Sequence, residues 1–445
     1  MRMLKTFRKG GVHPPENKLS AGKPIKVLPV PTSVFIPVSQ HIGAPATPVV
    51  QRGDQVKVGQ IIAKSSSFVS TNIHSSVSGK VKKVDFQADS SGYPKQGIFI
   101  DVIGDEWIDE IDRSEELKKD FNLDGPEIVK KIQEAGIVGE GGATFPTHVK
   151  LVPPKGMKAD TLIINGVECE PYLTSDHRLM LEKPDEIIVG TRLLMKALGV
   201  EKAVIGIENN KPDAIRKLSE KAKEYKGISV AALKVKYPQG GEKQLIKAVT
   251  GREVPSGGLP IAVGAVVNNV GTAFAVYEAI QKNKPLFERV VTITGKGIAN
   301  PSNFRVRIGT PTSALVEAAG GLPEDTGKVI SGGPMMGRAI ASLDVPVTKG
   351  TSGILIMKND EAKRKKYIAC IRCSRCVSAC PMGLEPYLLM TLAEKQIFDR
   401  AEDDKIMDCM ECGSCSYTCP SNRPLLDYIR FGKGKVGQIM RSRKK

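Results

Sequence analysis

Apolar and polar residues alternate differently in successive stretches of the chain. Between residues 24 and 105, short runs rich in β-branched residues are broken by proline, glycine and serine, which is typical of short strands. The apolar runs occupy residues 34–36, 49–50, 60–63 and 97–100. This part of the chain is therefore predicted to be a small β domain.

Residues 121–285 alternate strand-like and helical patterns. Apolar runs at 162–164 and 203–207 are separated by residues 185–198, whose apolar positions recur at helical spacing. A second helical segment, residues 211–225, follows. Strand–helix alternation of this kind predicts a parallel sheet covered by helices.

The rest of the chain changes pattern twice more. Residues 289–295 alternate like a strand, residues 313–319 read as a short helix, and residues 328–337 combine a strand with a glycine-rich turn. Farther on, apolar residues at helical spacing predict helices over 384–404 and 425–429.

The chain is basic, with 65 lysine and arginine residues against 48 aspartate and glutamate residues, a net charge of +17. Such an excess would suit nucleic acid, anionic lipid or an acidic protein. The basic residues are scattered and no nucleic-acid-binding module is visible, so no nucleic-acid partner is expected. The tail, residues 433–445, is basic and is expected to be mobile and available to dock on acidic lipid or protein.

Two uncharged stretches, residues 27–51 and 254–277, are long enough to be tested as membrane spans. The first contains five prolines, and the second contains a Pro-Ser-Gly-Gly turn, another proline and an Asn-Asn pair. A spanning helix needs about 20 predominantly apolar residues, which neither stretch offers. The basic start of the chain has no apolar stretch behind it, so no secretory signal is expected. The chain is expected to be soluble or bound to a membrane surface.

Eight of the nine cysteines form two copies of the pattern C-x2-C-x2-C-x3-C-P, at residues 370–381 and 409–420. Three thiolates at this spacing on a tight loop can each reach a different iron of one cubane cluster, and the fourth ligates the other cluster, as in two-cluster ferredoxins. One predicted [4Fe–4S] cluster is held by Cys370, Cys373, Cys376 and Cys419. The second predicted cluster is held by Cys409, Cys412, Cys415 and Cys380.

Zinc and disulfides are the alternative uses of these cysteines. Zinc takes paired C-x2-C hooks and would have no use for a third cysteine at the same spacing. Disulfides need an oxidising compartment, for which no export signal is visible. Iron–sulfur clusters are therefore predicted. Cys169 lies far from both motifs and is predicted to be a buried structural thiol.

Four further segments add a second kind of chemistry, because their order and composition match a known family. The segments read GEGGATFP at 139–146, NGVECEP at 165–171, YPQGGE at 237–242 and VNNVGT at 267–272. They resemble the motifs G-x-G-G-A-G-F-P, N-A-D-E-x-E-P, Y-x-x-G-E-E and N-N-V-E-T of the flavin- and NADH-binding subunit of respiratory complex I. With the β domain and the cysteine motifs added, nearly all of residues 1–430 resembles the C subunits of Rnf complexes, which are membrane-bound ferredoxin:NAD⁺ oxidoreductases.

The resemblance implies a role for each matching residue. The backbone of the glycine-rich loop would line FMN at Gly139, Gly141, Gly142 and Ala143, and Lys150 would approach the polar side of the flavin. The side chains that would hydrogen-bond flavin ribityl or phosphate oxygens are Asn165, Asn268, Asn269 and Thr272. The residues on the NADH side would be Glu168, Glu170 and Glu242, and Tyr237 is a further predicted cofactor-binding residue. No side chain is expected to act as a general acid or base.

Four positions depart from the complex I motifs. Glu140 stands where the family has arginine, and Thr144 stands where it has glycine. Leu151 replaces a tryptophan, and Gly271 replaces the glutamate of N-N-V-E-T.

The resemblance also implies a multidomain α/β protein. Residues 1–120 would form a β barrel-sandwich hybrid domain of the biotinyl/lipoyl type, whose hairpin region, residues 65–70, lacks the acceptor lysine of a covalent carrier. The remaining parts would be a Rossmann-like FMN/NADH-binding α/β domain at 121–285, an SLBB β-grasp domain at 286–356, an α-helical bis-[4Fe–4S] ferredoxin-like domain at 357–432, and the basic tail at 433–445.

These features together predict an electron-transfer subunit. NADH exchanges two electrons as a hydride, whereas each cluster passes one, so a flavin is expected between them. The resemblance implies an NADH-linked oxidoreductase subunit that connects NAD(H), through non-covalently bound FMN, with two [4Fe–4S] clusters in an ion-translocating complex. Its partners would be integral-membrane and iron–sulfur subunits of that complex, with ferredoxin reached indirectly. It would lie on the cytoplasmic face of the cell membrane as a peripheral protein.

Two other functions use the same motifs. A flavin and iron–sulfur reductase of the cobalamin-reductase type would have the same cofactors but no membrane complex. A relay subunit would pass electrons between other proteins without NADH activity.

Overall fold

The computed structural model describes residues 4–443 of the chain. As predicted, residues 25–102 contain short strands. The strands are β1 (Ile25–Val27), β2 (Ser33–Pro37), β3 (Thr47–Pro48), β4 (Gln55–Val56), β5 (Ile61–Lys64), β6 (Ile73–His74), β7 (Gly79–Ala88) and β8 (Pro94–Val102). They pair antiparallel in two sheets, β2-β8-β7-β4 and β3-β5-β6. Side chains from both sheets, among them Ile36, Ile62 and Ile98, are fully buried in the core. The exception is β1, which leaves this β structure for another sheet.

An α/β unit follows, in which helices alternate with parallel strands. Its elements are α1 (Gly125–Glu134), α2 (Thr147–Lys150), β9 (Thr161–Asn165), α3 (Ser175–Glu182), α4 (Pro184–Leu198), β10 (Ala203–Glu208), α5 (Pro212–Ala222), β11 (Ile228–Leu233), α6 (Glu242–Thr250), β12 (Ala265–Asn269) and α7 (Val270–Gln281). All strand pairs are parallel, in the order β11-β10-β9-β12. Every residue of β10 is buried, as expected of an inner strand with helices on both faces.

Local sequence signals explain several helix ends in this unit. Helix α1 begins after Asp124, whose side chain accepts a hydrogen bond from the amide of Glu127, while the Glu127 side chain accepts one from the Asp124 amide. This reciprocal capping satisfies two amides that would otherwise have no partner. Helix α4 begins at Pro184 and ends before Gly199, whose φ of +64° is accessible to glycine at little cost.

A second mixed unit is built around a six-stranded sheet. Its elements are β13 (Glu288–Thr294), β14 (Ser302–Arg307), α8 (Thr312–Ala318), β15 (Thr326–Ser331), β16 (Arg338–Ala339) and β17 (Gly353–Lys358). The strand order is β1-β14-β13-β17-β15-β16, so β1 from the start of the chain pairs in parallel with β14. The first and third parts of the chain are thereby joined by backbone hydrogen bonds.

The C-terminal part is helical. Its elements are α9 (Asn359–Ala362), α10 (Arg375–Ala379), α11 (Pro386–Glu394), α12 (Phe398–Asp403), α13 (Ser414–Thr418) and α14 (Leu425–Ser442). The helix predicted over 384–404 is divided in two at Gln396, whose φ is +58°. The basic tail was expected to be mobile, but α14 continues through it as far as Ser442, because Gly432, Val436 and Gly437 are buried along one face of the helix. Residues 444 and 445 of the predicted tail lie outside the described residues.

No helix within residues 4–443 has both the length and the apolar character that crossing a membrane requires.

Candidate functional site

The predicted flavin-binding residues meet at one edge of the parallel sheet. Asn165 ends β9, and Asn268 and Asn269 end the neighbouring strand β12. From β9 the chain builds outward through β10 to β11, and then returns to place β12 on the other side of β9. Ligands of open parallel sheets bind at such a reversal, beside the carboxyl ends of the strands. A ligand is therefore expected at this edge of the sheet, where the sequence motifs converge and which we call the crevice.

The glycine-rich loop between α1 and α2 closes one side of this crevice. A Cβ on Gly141 would lie 2.4 Å from Nδ2 of Asn269, so a side chain at position 141 would displace that of Asn269 at the end of β12. A Cβ on Gly142 would meet no heavy atom within 4 Å. Gly141, Gly142 and Ala143 are exposed, whereas the neighbouring Glu140 is buried.

The polar side chains of the crevice differ in how far the protein itself satisfies them. Asn165 donates to the carbonyl of Gly240 (2.9 Å), and Asn269 donates to Asp176 (2.7 Å). Thr272 accepts from the amide of Glu140 (3.1 Å). Asn268 is 3% exposed, yet neither its Oδ1 nor its Nδ2 has a hydrogen-bond partner among the described residues. A buried amide of this kind is costly unless a ligand or water satisfies it.

Lys150 and the acidic residues predicted on the NADH side make different contacts in the structure. Lys150 donates to Glu242 and to the carbonyl of Val267, at 3.0 Å each. The carboxylate of Glu168 accepts from the amides of Asp176 and His177 and so caps the start of α3. The structure thus brings Glu242 to Lys150 at the crevice and gives the carboxylate of Glu168 a capping contact.

Glu170 connects the α/β unit to the six-stranded sheet unit. Its two oxygens accept hydrogen bonds from the amides of Met335 (3.1 Å) and Met336 (2.7 Å). Burial raises the pKa of Glu170 to about 7, although both amides oppose the shift. Lys18 stabilises the loop that carries Glu168 and Glu170, because it donates to three carbonyls of that loop at 2.7–2.9 Å. The sequence offered no signal for Lys18, because this contact spans 150 or more residues.

The four departures from the complex I motifs have structural consequences. Glu140 lies beside Gly271, so that a Cβ on Gly271 would be 3.2 Å from Oε2 of Glu140. A carboxylate therefore occupies the space next to position 271 although the family's glutamate there is absent. Arg289 supplies the opposite charge, 3.9 Å from Oε2 of Glu140. Thr144 adopts a φ of +53°, which explains the family's glycine at this position, and Leu151 is buried.

Glu140 and Arg289 line a cavity with Asp176 and Gly271, and sequence reasoning missed Asp176 and Arg289. Burial raises the pKa of Glu140 to about 7, against the lowering effect of Arg289. Burial, and next the charge of Glu168, also raise the pKa of Asp176 to about 7. Asp176 and Arg289 belong to none of the recognised motifs, so only the fold identifies this group of buried charges beside the glycine-rich loop.

We expect Glu140→Gln to stabilise the chain more at pH 8 than at pH 5. The unfolded chain releases the Glu140 proton near its ordinary pKa of 4.5, whereas the folded chain keeps it up to about 7. The contribution of Glu140 to the stability of the wild-type chain is therefore fully present below pH 4.5. It is lost as the pH rises towards 7, which lowers the free energy of unfolding by on the order of 1–3 kcal/mol. Thermal unfolding of the variant and of the exposed control Glu324→Gln between pH 5 and pH 8 measures this. A benefit of Glu140→Gln that does not grow with pH would contradict the expectation.

The two cysteine motifs adopt the same backbone conformation. In both, the third and fifth positions have positive φ: +54° and +59° at Arg372 and Ser374, and +60° and +77° at Glu411 and Gly413. The short helices α10 and α13 follow, and the fourth cysteine of each motif, Cys380 or Cys419, comes directly after the helix as its C-cap. The sequence repeat is therefore a structural repeat, although three of these four residues are not glycine.

The cysteines of the second motif surround one cavity together with Cys380 of the first. Cys380, Cys409, Cys412 and Cys415 line this cavity, whose walls are otherwise mostly apolar. Burial, followed by the charges of neighbouring thiols including Cys380, raises the pKa of Cys409 to about 11. Amides donate to sulfur at 3.4 Å, from Glu411 to Cys409 and from Leu384 to Cys380. We call this set the inner cluster site.

The remaining four motif cysteines form what we call the outer cluster site. Cys376 is buried, and the pKa of its thiol is raised by burial and, to a lesser degree, by Cys419. Cys370 and Cys373 are exposed. No three histidine, cysteine, aspartate or glutamate side chains within the described range surround a position for a single metal ion. A cubane holds its thiolates farther apart than one ion does, because each binds a different iron.

The crevice and the inner cluster site are in contact through the segment 237–242. The hydroxyl of Tyr237 donates to the carbonyl of Cys412 (2.8 Å). Gly241 packs on Met410, since a Cβ at Gly241 would lie 2.4 Å from the Met410 Cε. The carbonyl of Gly240 meanwhile accepts from Asn165 in the crevice. One segment thus touches both predicted sites, a relation that the sequence motifs did not reveal.

Cys169 lies in the same region, outside both cluster sites. Its sulfur accepts a hydrogen bond from the amide of Gly240 (3.4 Å), and the side chain packs with Val12, Tyr237 and Met410. Burial raises the pKa of this thiol well above its ordinary value. These contacts describe a packed, protonated thiol.

The residues present fit both predicted cofactors. In the crevice, the buried and unpartnered amide of Asn268 and the open space at Gly142 suit a polar, planar ligand. At the inner cluster site, four cysteines line one apolar cavity, and bound iron would hold these buried thiols deprotonated. The amide donors to sulfur also suit a cluster, since such hydrogen bonds stabilise its negative charge.

Models of four protein families match successive parts of the chain. They are described as the RnfC barrel sandwich hybrid domain at residues 5–105, the Nuo51 FMN-binding domain at 132–278, the SLBB domain at 290–339 and the 4Fe-4S dicluster domain at 362–420. The predicted fold classes, FMN and the two [4Fe–4S] clusters are thereby confirmed.

Curated relatives match the chain over nearly its full length. The C subunit of the proton-translocating ferredoxin:NAD(+) oxidoreductase complex of Clostridium ljungdahlii is 51% identical over 97% of this chain and 94% of its own. The C subunit of the Na(+)-translocating ferredoxin:NAD(+) oxidoreductase complex of Acetobacterium woodii is 46% identical over 96% of each. The C subunit of the ion-translocating oxidoreductase complex of Rhodobacter capsulatus is 44% identical over 97% of this chain and 83% of its own.

Among solved structures, an NAD⁺-reducing [NiFe]-hydrogenase in the H2-reduced state is similar, with a TM-score of 0.49 at 20% identity, covering 69% of this chain and 61% of the other. The curated relatives are 44–51% identical to this chain, against 20% for the hydrogenase. Because of these identities over nearly its full length, the chain belongs to the family of C subunits of ion-translocating, Rnf-type oxidoreductase complexes.

Proposed function

We propose that the chain exchanges electrons between NAD(H) and one-electron carriers, as the C subunit of a ferredoxin:NAD⁺ oxidoreductase complex. The observation that carries the proposal is the contact between the two sites. The crevice of β9 and β12 and the inner cluster site share the segment 237–242, with Tyr237 hydrogen-bonded to the Cys412 carbonyl. Electron transfer needs such close approach and no acid–base side chain.

Within this proposal the crevice residues bind and orient the flavin and the nucleotide. The loop backbone from Gly139 to Ala143, together with Asn165, Asn268, Asn269 and Thr272, would hold the flavin, with Lys150 at its polar side. The acidic residues Glu168, Glu170 and Glu242 would border the nucleotide. Tyr237, whose hydroxyl donates to the Cys412 carbonyl, would lie between the crevice and the inner cluster site. When bound, FMN would supply the exchange between the two-electron chemistry of NAD(H) and the one-electron chemistry of the clusters.

The protein around the inner cluster site would keep water out and set the cluster's charge. Val12, Tyr237, Cys412 and Ala379 are buried together in one apolar group, to which Met335 and Met410 add. Exclusion of water and amide hydrogen bonds to the sulfurs are the means by which a protein tunes a cluster's potential. The same contacts would make the inner cluster the one that exchanges electrons with the crevice.

The names of the relatives support a proposal for the partners and the location. The relatives are named as subunits of ion-translocating complexes, so the chain is proposed to bind integral-membrane and iron–sulfur subunits and to reach ferredoxin through them. It would do so as a peripheral protein on the cytoplasmic face of the cell membrane.

The proposal is tested by anaerobic quantitation of iron, sulfide and flavin, followed by addition of NADH. We expect about eight iron atoms and one FMN per chain, and bleaching of both flavin and cluster absorbance within the mixing time. A chain that holds both cofactors but is bleached only by dithionite would be a relay without NADH activity, and the proposed function would be wrong.

A further inference from the structure

The two copies of the cysteine motif differ sharply in exposure. Every residue from 363 to 375 is exposed, and this segment, which we call the outer face, includes the cluster ligands Cys370 and Cys373. In the second copy, residues 412–415 are buried, and Cys409 is partly covered. Because both loops have the same backbone conformation, the difference lies in what covers them and not in the loops themselves.

Equivalent positions of the two loops show what a cover does. Met410 follows the first cysteine of the second motif and packs on Gly241 of the α/β unit. Gly413, two residues before the third cysteine, touches the carbonyl of Met335, 2.7 Å from where its Cβ would be. Ile371 is the counterpart of Met410 on the outer face, and it is 62% exposed. The second loop is sealed by its own chain, whereas the same surface of the first loop faces outward.

The outer face is both apolar and basic. Tyr367 and Ile368 are 52% and 57% exposed and lie on the same exposed segment as Ile371. The segment also carries six basic residues and no acidic one: Lys363, Arg364, Lys365, Lys366, Arg372 and Arg375. Arg364 pairs with Asp427 (2.6 Å), and the other five make no ion pair within the described part of the chain. A segment that exposes apolar side chains together with unpaired charges has the composition of a protein interface.

We propose that the outer face is the docking surface for an acidic protein that carries a one-electron centre close to its own surface. Ile371, Ile368 and Tyr367 would enter an apolar depression rimmed by carboxylates, which would pair with the free lysines and arginines. One electron would pass between the outer cluster and the partner's centre, one being oxidised as the other is reduced, with no bond made and no proton moved. This proposal rests on the proposed function, because the outer face would be the place where electrons from the inner cluster leave the chain through the outer cluster.

The test compares two charge-reversed chains in membranes stripped of this subunit and then reconstituted. Lys365→Glu/Lys366→Glu changes the outer face without touching a cysteine loop, and Arg216→Glu/Lys223→Glu makes the same change on the exposed side of α5 and just beyond it. Each chain is reduced with dithionite, freed of excess reductant and mixed with the stripped membranes, and its reoxidation is followed by absorbance. Ile371→Ala is measured alongside, with iron content recorded for every chain.

We expect both outer-face variants, Lys365→Glu/Lys366→Glu and Ile371→Ala, to keep their iron and to be reoxidised about tenfold more slowly than wild type. The defect of the charge-reversed chain should appear in the rate of association with the membranes. The control should match wild type. Reoxidation of both outer-face variants within twofold of wild type would overturn the proposal. So would loss of binding to vesicles of phosphatidylglycerol, or loss of self-association, without slower reoxidation, since lipid or a second copy would then be the occupant. Dithionite reduction keeps this outcome separate from failure of the NADH reaction.

Discussion

Replacement of Cys380 by serine is expected to remove the inner cluster, although Cys380 belongs to the first motif. Cys380 lines the same cavity as Cys409, Cys412 and Cys415. Its sulfur accepts a hydrogen bond from the amide of Leu384. The chain should therefore lose about half of its iron, from about eight atoms to about four. The remaining signal in electron paramagnetic resonance should be that of the outer cluster. Reduction of that cluster by NADH should fall at least tenfold, because its connection to the crevice is gone.

Two further substitutions make this result interpretable. Cys419→Ser should remove the outer cluster and leave the inner one reducible by NADH, the reverse pattern. Cys169→Ser changes a cysteine outside both motifs and should leave about eight iron atoms in place. If Cys380→Ser instead disturbed the cluster bound by Cys370, Cys373 and Cys376, each motif would hold its own cluster, and the exchange of ligands between motifs would be wrong.

Replacement of Gly142 by alanine is expected to expel the flavin without unfolding the protein. A Cβ at Gly142 would meet no heavy atom of the chain within 4 Å, and the residue lacks a positive φ, so the chain free of flavin should be as stable as wild type. The added methyl group would occupy the space into which the flavin is proposed to fit. The affinity for FMN should fall by at least about tenfold, the equivalent of about 1.4 kcal/mol.

The measurement is a titration of flavin-depleted chain with FMN, followed by fluorescence, together with thermal unfolding of the same samples. Gly434→Ala is the matched control, because its Cβ would also meet nothing within 4 Å but lies far along α14. Unchanged FMN affinity in Gly142→Ala, with normal stability, would mean that the flavin does not approach this loop.

Features written in local sequence could be predicted. The spacing of the cysteines specified the clusters, and the alternation of patterns specified the parallel sheet. The asparagines at 165, 268 and 269 were recognised as a set from motifs far apart in the chain, and the strand order explains why they converge. Each of the motifs concerned is a short stretch of residues that can be recognised by itself.

Features that depend on contacts between distant parts of the chain could not be predicted. Strand β1 pairs with β14 across more than 270 residues, and Arg289 meets Glu140 from another sheet. The contact of Tyr237 with Cys412 joins two motifs that lie 175 residues apart in the chain. The helical tail was not predicted because its apolar residues are few and widely spaced among lysines and glycines, and the burial of Val436 and Gly437 is not visible from sequence.

The central claim is that electrons pass between the crevice and the outer cluster through the inner cluster. It is tested most directly by mixing the oxidised holoprotein with NADH, freezing it at successive times and recording electron paramagnetic resonance spectra. The two cluster signals are assigned from the Cys380→Ser and Cys419→Ser chains. The account predicts that the inner-cluster signal appears first and that the outer-cluster signal follows. An outer-cluster signal that appears first, or at an unchanged rate in Cys380→Ser, would contradict it.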